Sequence, residues 1–494
     1  MYKKIILIVF VGLVVFSAIY ALTGKKKVTT NSDKAYQLYL AGEELTRKLY
    51  YSDAIPKFEK AIKIDTNFAM AYAMLANMYY MFDEKDNAMK LIDKAVLLFP
   101  KITEKEQLII NNIKGVIYND MEFTEKNREK MIQKYPKSLE GYQFKASDYQ
   151  MKHDFVNAIK EYEQLLKNYP DYALAYNMLG YLNYYQRNFD KAITNIKKYS
   201  IMAGKQANPH DSYGEILMYL GRYDEAIKEF EKANKIKPDL YFVLNHLGDV
   251  YREIGRFRDA IGYYERARDM ATNKLQVIEA DIEIAFTFWR ENKNDKALNI
   301  LDEALDFKIG CVSSIILKGN ALMLQGIIWA QNKEFEKAIA NLDSIESLMA
   351  NDELRKDEGK LNSIQIYRTL LSGTIALNKK DYNKAIDDFQ FLIDNSQLPS
   401  VLWFRQLLGN AYNLSGNFEK AKECYMANLA DNSNHPLSLF QLAQVYKNLG
   451  DIENQKQMLL KFLSVTSGAD ESFVDVIDAR KQLDSLVQLQ IEES

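Results

Sequence analysis

The sequence predicts an all-α protein: a superhelical solenoid of about twelve helix–turn–helix repeats, with an N-terminal transmembrane helix before it and a C-terminal capping helix after it. Three observations carry this. Turn residues are scarce, with 21 Gly and 8 Pro in 494 residues, whereas Tyr (33) and Phe (24) are plentiful. A strand-rich fold of this length would use more Gly and Pro in its connections. Proline recurs with a period: Pro100, Pro136, Pro170 and Pro238 lie 36, 34 and 68 residues apart. Small residues, mostly alanine, recur in phase with those prolines.

Bulk composition narrows the field further. Hydrophobic residues make up 48% and charged residues 27%, which suits a folded chain. Lys plus Arg (64) nearly balances Asp plus Glu (67), so the basic surface that nucleic-acid binding needs is missing. Length alone suggests about three globular domains; the repeat replaces them with one quasi-linear array. Two cysteines, Cys311 and Cys424, cannot build a disulfide framework or a multi-cysteine metal site. Buried structural thiols are the expectation for both.

The first element is the apolar run Ile5–Leu22, interrupted only by Gly12 and Ser17 and flanked by Lys3, Lys4 and Lys25 to Lys27. Its length is at the short end of what spans a bilayer. A cleaved signal peptide would be cut after Ala21, where Ile19 fits the small-residue rule poorly and three lysines come next. No cysteine near the end of the run supports a lipoprotein. An uncleaved single-span anchor is therefore expected, on a bacterial inner membrane. Lys3 and Lys4 before the span and Lys25, Lys26, Lys27 and Lys34 after it leave the side of the adjoining domain open.

Repeats begin at Asp33. Four join without spacers, from Leu139, Ala173, Ala207 and Tyr241. With each start as position 1, small residues stand at position 8 (Ala146, Gly180, Gly214, Gly248) and alanine at position 20 (Ala158, Ala192, Ala226, Ala260). Tyr162, Ile196, Phe230 and Tyr264 stand at position 24. The repeat from Ala69 has Ala76, Ala88 and Ile92, then Pro100. Looser repeats start at Ala35, Ile278, Gly319, Ile366, Leu402 and Pro436, the last with Gln455 where alanine is expected. Lys105–Ser138 is degenerate, with Asn112 and Thr124 at the two small positions. Ten repeats of about twelve carry Ala at position 20.

This pattern resembles the tetratricopeptide (TPR) family over nearly the whole chain after the anchor. The resemblance implies that small residues at 8 and 20 let two helices approach, that large residues at 4, 11 and 24 fill between pairs, and that proline at 32 ends the second helix. The expected organisation is an anchor and linker at 1–32, a TPR array at 33–350, a charged insert or elbow at 351–365, further repeats at 366–469, and a capping helix and tail at 470–494. In the last segment Phe473, Val476, Ile477, Leu483, Leu486 and Val487 would face the final repeat.

The resemblance also implies a concave face lined by positions 2, 5, 9, 12 and 13 of each first helix, where a protein or peptide partner binds. In the contiguous block these positions include Asn177, Tyr181, Tyr184, Asp211, Glu215, Met218, Asn245, Asp249 and Arg252. Asparagine suits a peptide backbone, tyrosine gives rigid contact area, and the carboxylates favour a basic segment. Ordinary solvated positions would look the same. The Lys and Asn set with which chaperone-binding TPR domains clamp a terminal carboxylate is absent: Asn77 stands at a position 9, but Ala73 occupies position 5.

His153, His210, His246 and His435 show no metal-ligand spacing, and no phosphate-binding loop or nucleophile elbow occurs. The chain thus reads as a non-enzymatic interaction scaffold tethered to a membrane, with no cofactor and no metal. The alternatives are an exported soluble periplasmic TPR protein in envelope assembly, or an accessory subunit of a bacterial signalling system. An anchor leading into TPRs is similar to membrane proteins that regulate lipopolysaccharide assembly, but their four-cysteine zinc module is missing here. Leu38–Ala76 and Asn208–Asp239 look like TPR halves of bacterial signalling proteins.

Overall fold

The computed structural model describes residues 26–82, 84–307 and 311–492, with side chains as far as 488. The apolar run at 5–22, and with it the expected anchor, lies outside the described residues. The described residues contain no strand and form α-helices in succession. They fall into two compact units, residues 1–208 and 209–494. That division lies inside the contiguous block of repeats, not at the charged insert.

The first unit stacks five helix pairs: α1 (Asp33–Arg47) with α2 (Tyr51–Ile64), α3 (Ala69–Met81) with α4 (Lys85–Leu97), α5 (Glu104–Tyr118) with α6 (Met121–Lys134), α7 (Leu139–Met151) with α8 (Phe155–Asn168), and α9 (Ala173–Tyr185) with α10 (Phe189–Met202). Helix α11 (Ala207–Tyr219) begins at the boundary. In the second unit it leads to α12 (Tyr223–Ile236), α13 (Tyr241–Glu253), α14 (Phe257–Asp269), α15 (Lys274–Arg290) and α16 (Asn294–Leu305). Then come α17 (Val312–Gln331), α18 (Phe335–Leu348), α19 (Asp352–Arg355), α20 (Glu358–Asn378) and α21 (Tyr382–Asp394). The last are α22 (Ser400–Leu414), α23 (Phe418–Asp431), α24 (Pro436–Leu449), α25 (Ile452–Val465) and α26 (Val474–Glu492).

Each pair is held by one close approach. A β-carbon on Gly248 would lie 2.4 Å from the Tyr264 ring; on Gly214, 2.7 Å from Phe230; on Gly409, 2.6 Å from Tyr425. The ring at position 24 lies flat on the glycine at position 8, and alanine at position 20 is fully buried in every repeat that has it. The turn inside a pair places one residue at positive φ, supplied by glycine at Gly221, Gly255, Gly416 and Gly450.

Departures from the repeat have local explanations. In α5–α6 the close approach moves to Gly115, whose β-carbon would strike Thr124. The polar pair Asn112 and Thr124 is then accommodated by buried Arg128, which donates to Asn112 at 2.8 Å and to Asp148 at 3.0 Å. Gln455, in place of alanine, is buried and donates to Gln482 of α26 at 3.0 Å, while Gln482 donates to Gln444 at 3.1 Å. The capping helix thus meets the last repeat through an amide ladder as well as apolar packing. It buries Phe473, Val476, Ala479 and Leu486 but leaves Ile477 and Val487 exposed, contrary to the expectation for those two. The charged insert is α19, anchored by fully buried Leu354, and the start of the long α20.

Among the described residues one helix, α17, is long and apolar enough to cross a membrane. It is largely buried inside the second unit: a β-carbon on its Gly319 or Gly326 would strike Ile364 or Leu371 of α20.

The second unit also closes on itself through residues far apart in sequence. Asn432 donates to the Tyr223 hydroxyl at 3.2 Å and Asn434 to the Gly221 carbonyl at 3.0 Å. Asp470 accepts from the Arg258 amide at 2.8 Å and donates its own N–H to the Gly255 carbonyl at 3.0 Å. Ser472 donates to Glu291 at 2.8 Å. Phe473 stacks edge-on against buried Phe257 at 5.0 Å. Loops after α23 and α25 therefore sit on the turns of α11–α12 and α13–α14.

The packing can be tested at two glycines. Gly248→Ala overpacks the Tyr264 contact and lowers stability by about 1–3 kcal/mol. Gly262→Ala, on α14 with nothing within 4 Å of the new methyl, raises it by about 0.5–1 kcal/mol. Calorimetric melting reads both, and equal signs would refute the account. A pH dependence is expected from His435, which caps α24 by accepting from the Ser438 amide at 3.3 Å. Burial lowers its pKa to about 4, so the fold favours the neutral ring. Its contribution is intact above the unfolded value near 6.5 and is lost as pH falls towards 4. His435→Asn keeps a capping acceptor and should reduce the loss of stability between pH 7 and 4.5 by about 2 kcal/mol.

Candidate interaction surfaces

The inner face of the first unit is formed by α1, α3, α5, α7 and α9. Buried polar side chains line it: Glu43 on α1, Glu106 on α5, Gln143, Ser147 and Gln150 on α7, and Asn177 on α9. Tyr39 donates to Glu43 at 2.7 Å, yet burial dominates and raises the Glu43 pKa to about 7. Tyr181 and Tyr184 are buried on the same helix as Asn177.

Part of this face is occupied by the chain's own residues 26–31. Val28 is buried in the same apolar cluster as Tyr36 and Tyr39. The Lys27 amide donates to the Tyr36 hydroxyl at 3.2 Å. Thr29 donates its amide to one Glu106 carboxylate oxygen at 2.6 Å and its hydroxyl to the other at 2.8 Å. Asp65, between α2 and α3, accepts from the Thr30 hydroxyl and, at 2.9 Å, from the Asn31 amide. Burial lowers the Lys27 pKa, and Glu43 and Glu140 oppose that shift. By sequence these residues belong to the linker. The one local signal against that assignment is the pair of acids, Asp65 and Glu106, at the starts of successive inner helices.

Beyond this segment, Gln143 Oε1, Ser147 Oγ, Gln150 Oε1 and Asn177 Oδ1 are buried without a hydrogen-bond partner. A buried polar atom left unpaired costs about 1–3 kcal/mol, so four of them on neighbouring inner helices mark a place where donors from elsewhere would be welcome.

The second unit carries the other residues expected to contact a partner, and its inner face is closed. Asp211, Glu215, Asn245 and Arg252 are buried and Asp249 is partly buried; like Asn177, Tyr181 and Tyr184 of the first unit, they are not the open positions the sequence suggested. His246 Nδ1 lies 2.7 Å from Asp211, and Tyr219 donates to Glu215. Arg252 donates to Asp249 at 2.8 Å and to Glu283 at 2.7 Å. Its guanidinium lies over Tyr264 and Phe286. Desolvation works against the Arg252 charge, but Tyr264, Glu283 and Asp249 outweigh it and raise its pKa. Phe286 in turn meets Trp403 of α22 at 6.2 Å. Acidic groups that would suit a basic partner are thus already engaged. The physical reason is the closure described above, which brings α22 against α15.

The structure therefore separates the expected contact residues: Asn177, Tyr181 and Tyr184 belong to the first unit, and Asp211, Glu215, Asn245, Asp249 and Arg252 to the second. No group of three or more His, Cys, Asp or Glu arranged to hold a metal occurs among the described residues. Neither cysteine forms a disulfide, and both are half-buried, not fully buried as expected. Cys311 precedes α17, and burial raises the Cys424 thiol to about 11.

Tetratricopeptide-repeat family models match residues 145–199, 206–273, 404–427 and 437–467. No curated protein shows a significant sequence match. Similar solved structures include a tetratricopeptide repeat protein from Parabacteroides merdae ATCC 43184, at 15% identity and TM-score 0.33, over 57% of this chain and 98% of that one. A monomeric mutant of IFIT1 with Gppp-AAAA is similar at 16% identity and TM-score 0.43, over 81% and 91%. The APC/C hetero-tetramer Cut9–Hcn1 is similar at 14% identity and TM-score 0.33, over 92% and 96%. The matched segments lie in both units and coincide with helix pairs of the kind described above: the chain is a tetratricopeptide-repeat protein.

Proposed function

We propose that the chain is a non-enzymatic scaffold, tethered to a membrane through residues 5–22, that holds an extended segment of a protein partner on the inner face of its first unit. The observation that carries this is the set of buried, unpartnered oxygens of Gln143, Ser147, Gln150 and Asn177. Such acceptors suit the N–H groups of an extended main chain. Tyr181 and Tyr184 supply rigid contact area beside them. Asp211, Glu215, Asn245, Asp249 and Arg252 act instead as internal ties of the second unit.

The test is capture with tagged full-length protein from detergent-solubilised membranes. Wild type should hold a defined partner. Gln143→Ala with Asn177→Ala should cut capture about tenfold, the loss of one to two hydrogen bonds. Lys228→Ala, on an exposed position of α12, should not change it. Capture unaffected by the double change would remove the inner face as the site. Sequencing the mature N-terminus checks the tether: a start near Leu22 would replace it with the exported, soluble form.

A further inference from the structure

Residues 26–31 join the apolar run to the first repeat, yet they do not behave as a bare linker. Four contacts fix them, with bends at Lys27, Val28 and Asn31, across α1, the α2–α3 connection and α5: the Lys27 amide on Tyr36, the Thr29 amide and hydroxyl on Glu106, the Thr30 hydroxyl and Asn31 amide on Asp65, and Val28 in the apolar cluster. Two of the acceptors are buried carboxylates that also serve the fold. Glu106 completes the capping box of α5 with Thr103, and Asp65 accepts from the Asn67 amide. A carboxylate has about four lone-pair sites; Glu106 divides them between its own helix start and the segment, and Asp65 between the α2–α3 connection and the segment.

We infer that the inner face of the first unit is a peptide site that this chain fills in cis with residues 26–31, and that a partner segment of the same chemistry enters by displacing them. The occupant defines that chemistry. The two carboxylates take main-chain N–H groups and tolerate many sequences. The Val28 cavity asks for a β-branched apolar residue. The two positions after it ask for hydroxyls. The position before it holds Lys27, whose charge burial disfavours although Glu43 and Glu140 oppose that. The partner is therefore a protein segment of the form β-branched, hydroxyl, hydroxyl. The unpartnered acceptors on α7 and α9 give it further contacts that residues 26–31 do not make.

This deepens the scaffold reading and rests on it for the partner. The segment is covalently joined to α1, so it competes at an effective concentration of about 1 mM for a short flexible connection. If its intrinsic dissociation constant is about 0.1 mM, a free strand binds about tenfold more weakly than it would to the open face. A pull on the membrane-side end of the segment would open the site.

The test uses the full chain in detergent and a synthetic peptide of residues 26–32 as probe. In hydrogen exchange the Thr29 and Asn31 amides should be about tenfold slower than in the free peptide, the ratio of effective concentration to dissociation constant. Peptide at about 1 mM, matching the effective concentration, should displace roughly half of the segment and speed both amides. The double variant Val28→Asp, Thr29→Pro should bind labelled peptide at least tenfold more tightly than wild type. Adding Asp65→Asn and Glu106→Gln should abolish that gain while circular dichroism stays helical. Thr29→Ser alone should behave as wild type. Unprotected amides, or a released variant that binds no more peptide than wild type, would overturn the inference. Peptide binding by the released variant without a partner in the capture experiment would uphold this site and remove the scaffold reading. Partner capture with an unprotected segment would do the reverse.

Discussion

Many helix pairs in this protein depend on one steric condition: two helices must approach until a large side chain, often a ring, can rest on a backbone with little or no side chain between them. Gly248 under Tyr264 and Gly409 under Tyr425 show its consequences. The ring lies across position 8, and its hydroxyl emerges beside position 9. There Tyr264 donates to Asp249 and Tyr425 to Asn410, both at 2.6 Å. Asp249, fixed in this way, holds Arg252, and Arg252 reaches Glu283 on α15. A packing rule about residue size thus also orients the polar network of the inner face.

The two units meet the same difficulty differently. Inner helices carry polar residues, and burying them without partners is costly. The second unit meets part of this with its own side chains, through the pairs around His246 and Arg252 and the Trp403–Phe286 contact, while atoms such as Asn428 Oδ1 and Gln444 Nε2 stay unpaired. The first unit draws in a segment from outside the repeats, which satisfies Glu106 and Asp65 but leaves the acceptors of α7 and α9 unpaired.

Size-restricted positions are legible in the sequence because close approach admits so few residues there. The repeat phase and the alanines at position 20 come directly from that restriction. Departures at Asn112, Thr124 and Gln455 are visible as departures. The period itself sets Arg128, at position 24, against Asn112 at position 8, but the compensation of Gln455 is not visible, because Gln482 lies on a helix outside the repeat. Inner-face residues can be placed on the correct helices, but the pattern assigns them to solvent. Asp211 is tied to His246 of the next inner helix, and the unit is closed by loops such as 432–434, more than 200 residues away from their partners Tyr223 and Gly221. A local period carries no information about a contact at that separation. Residues 26–31 escape for a related reason: lysines and threonines read as linker until their amides are seen to end on buried carboxylates.

The seam between Gly255, Phe257 and the loop before α26 has a bearing on how the chain is made. A repeat array with only neighbour contacts can complete each pair as it leaves the ribosome. Here Phe257 waits for Phe473, and Gly221 for Asn434. The early pairs of the second unit therefore emerge with an apolar edge that nothing covers until more than 200 further residues have been synthesised. Long-range pairing of this kind slows folding and exposes surface meanwhile. The finished unit gains in return an edge-to-edge clasp, so that fraying at its C-terminal end is resisted from its N-terminal one.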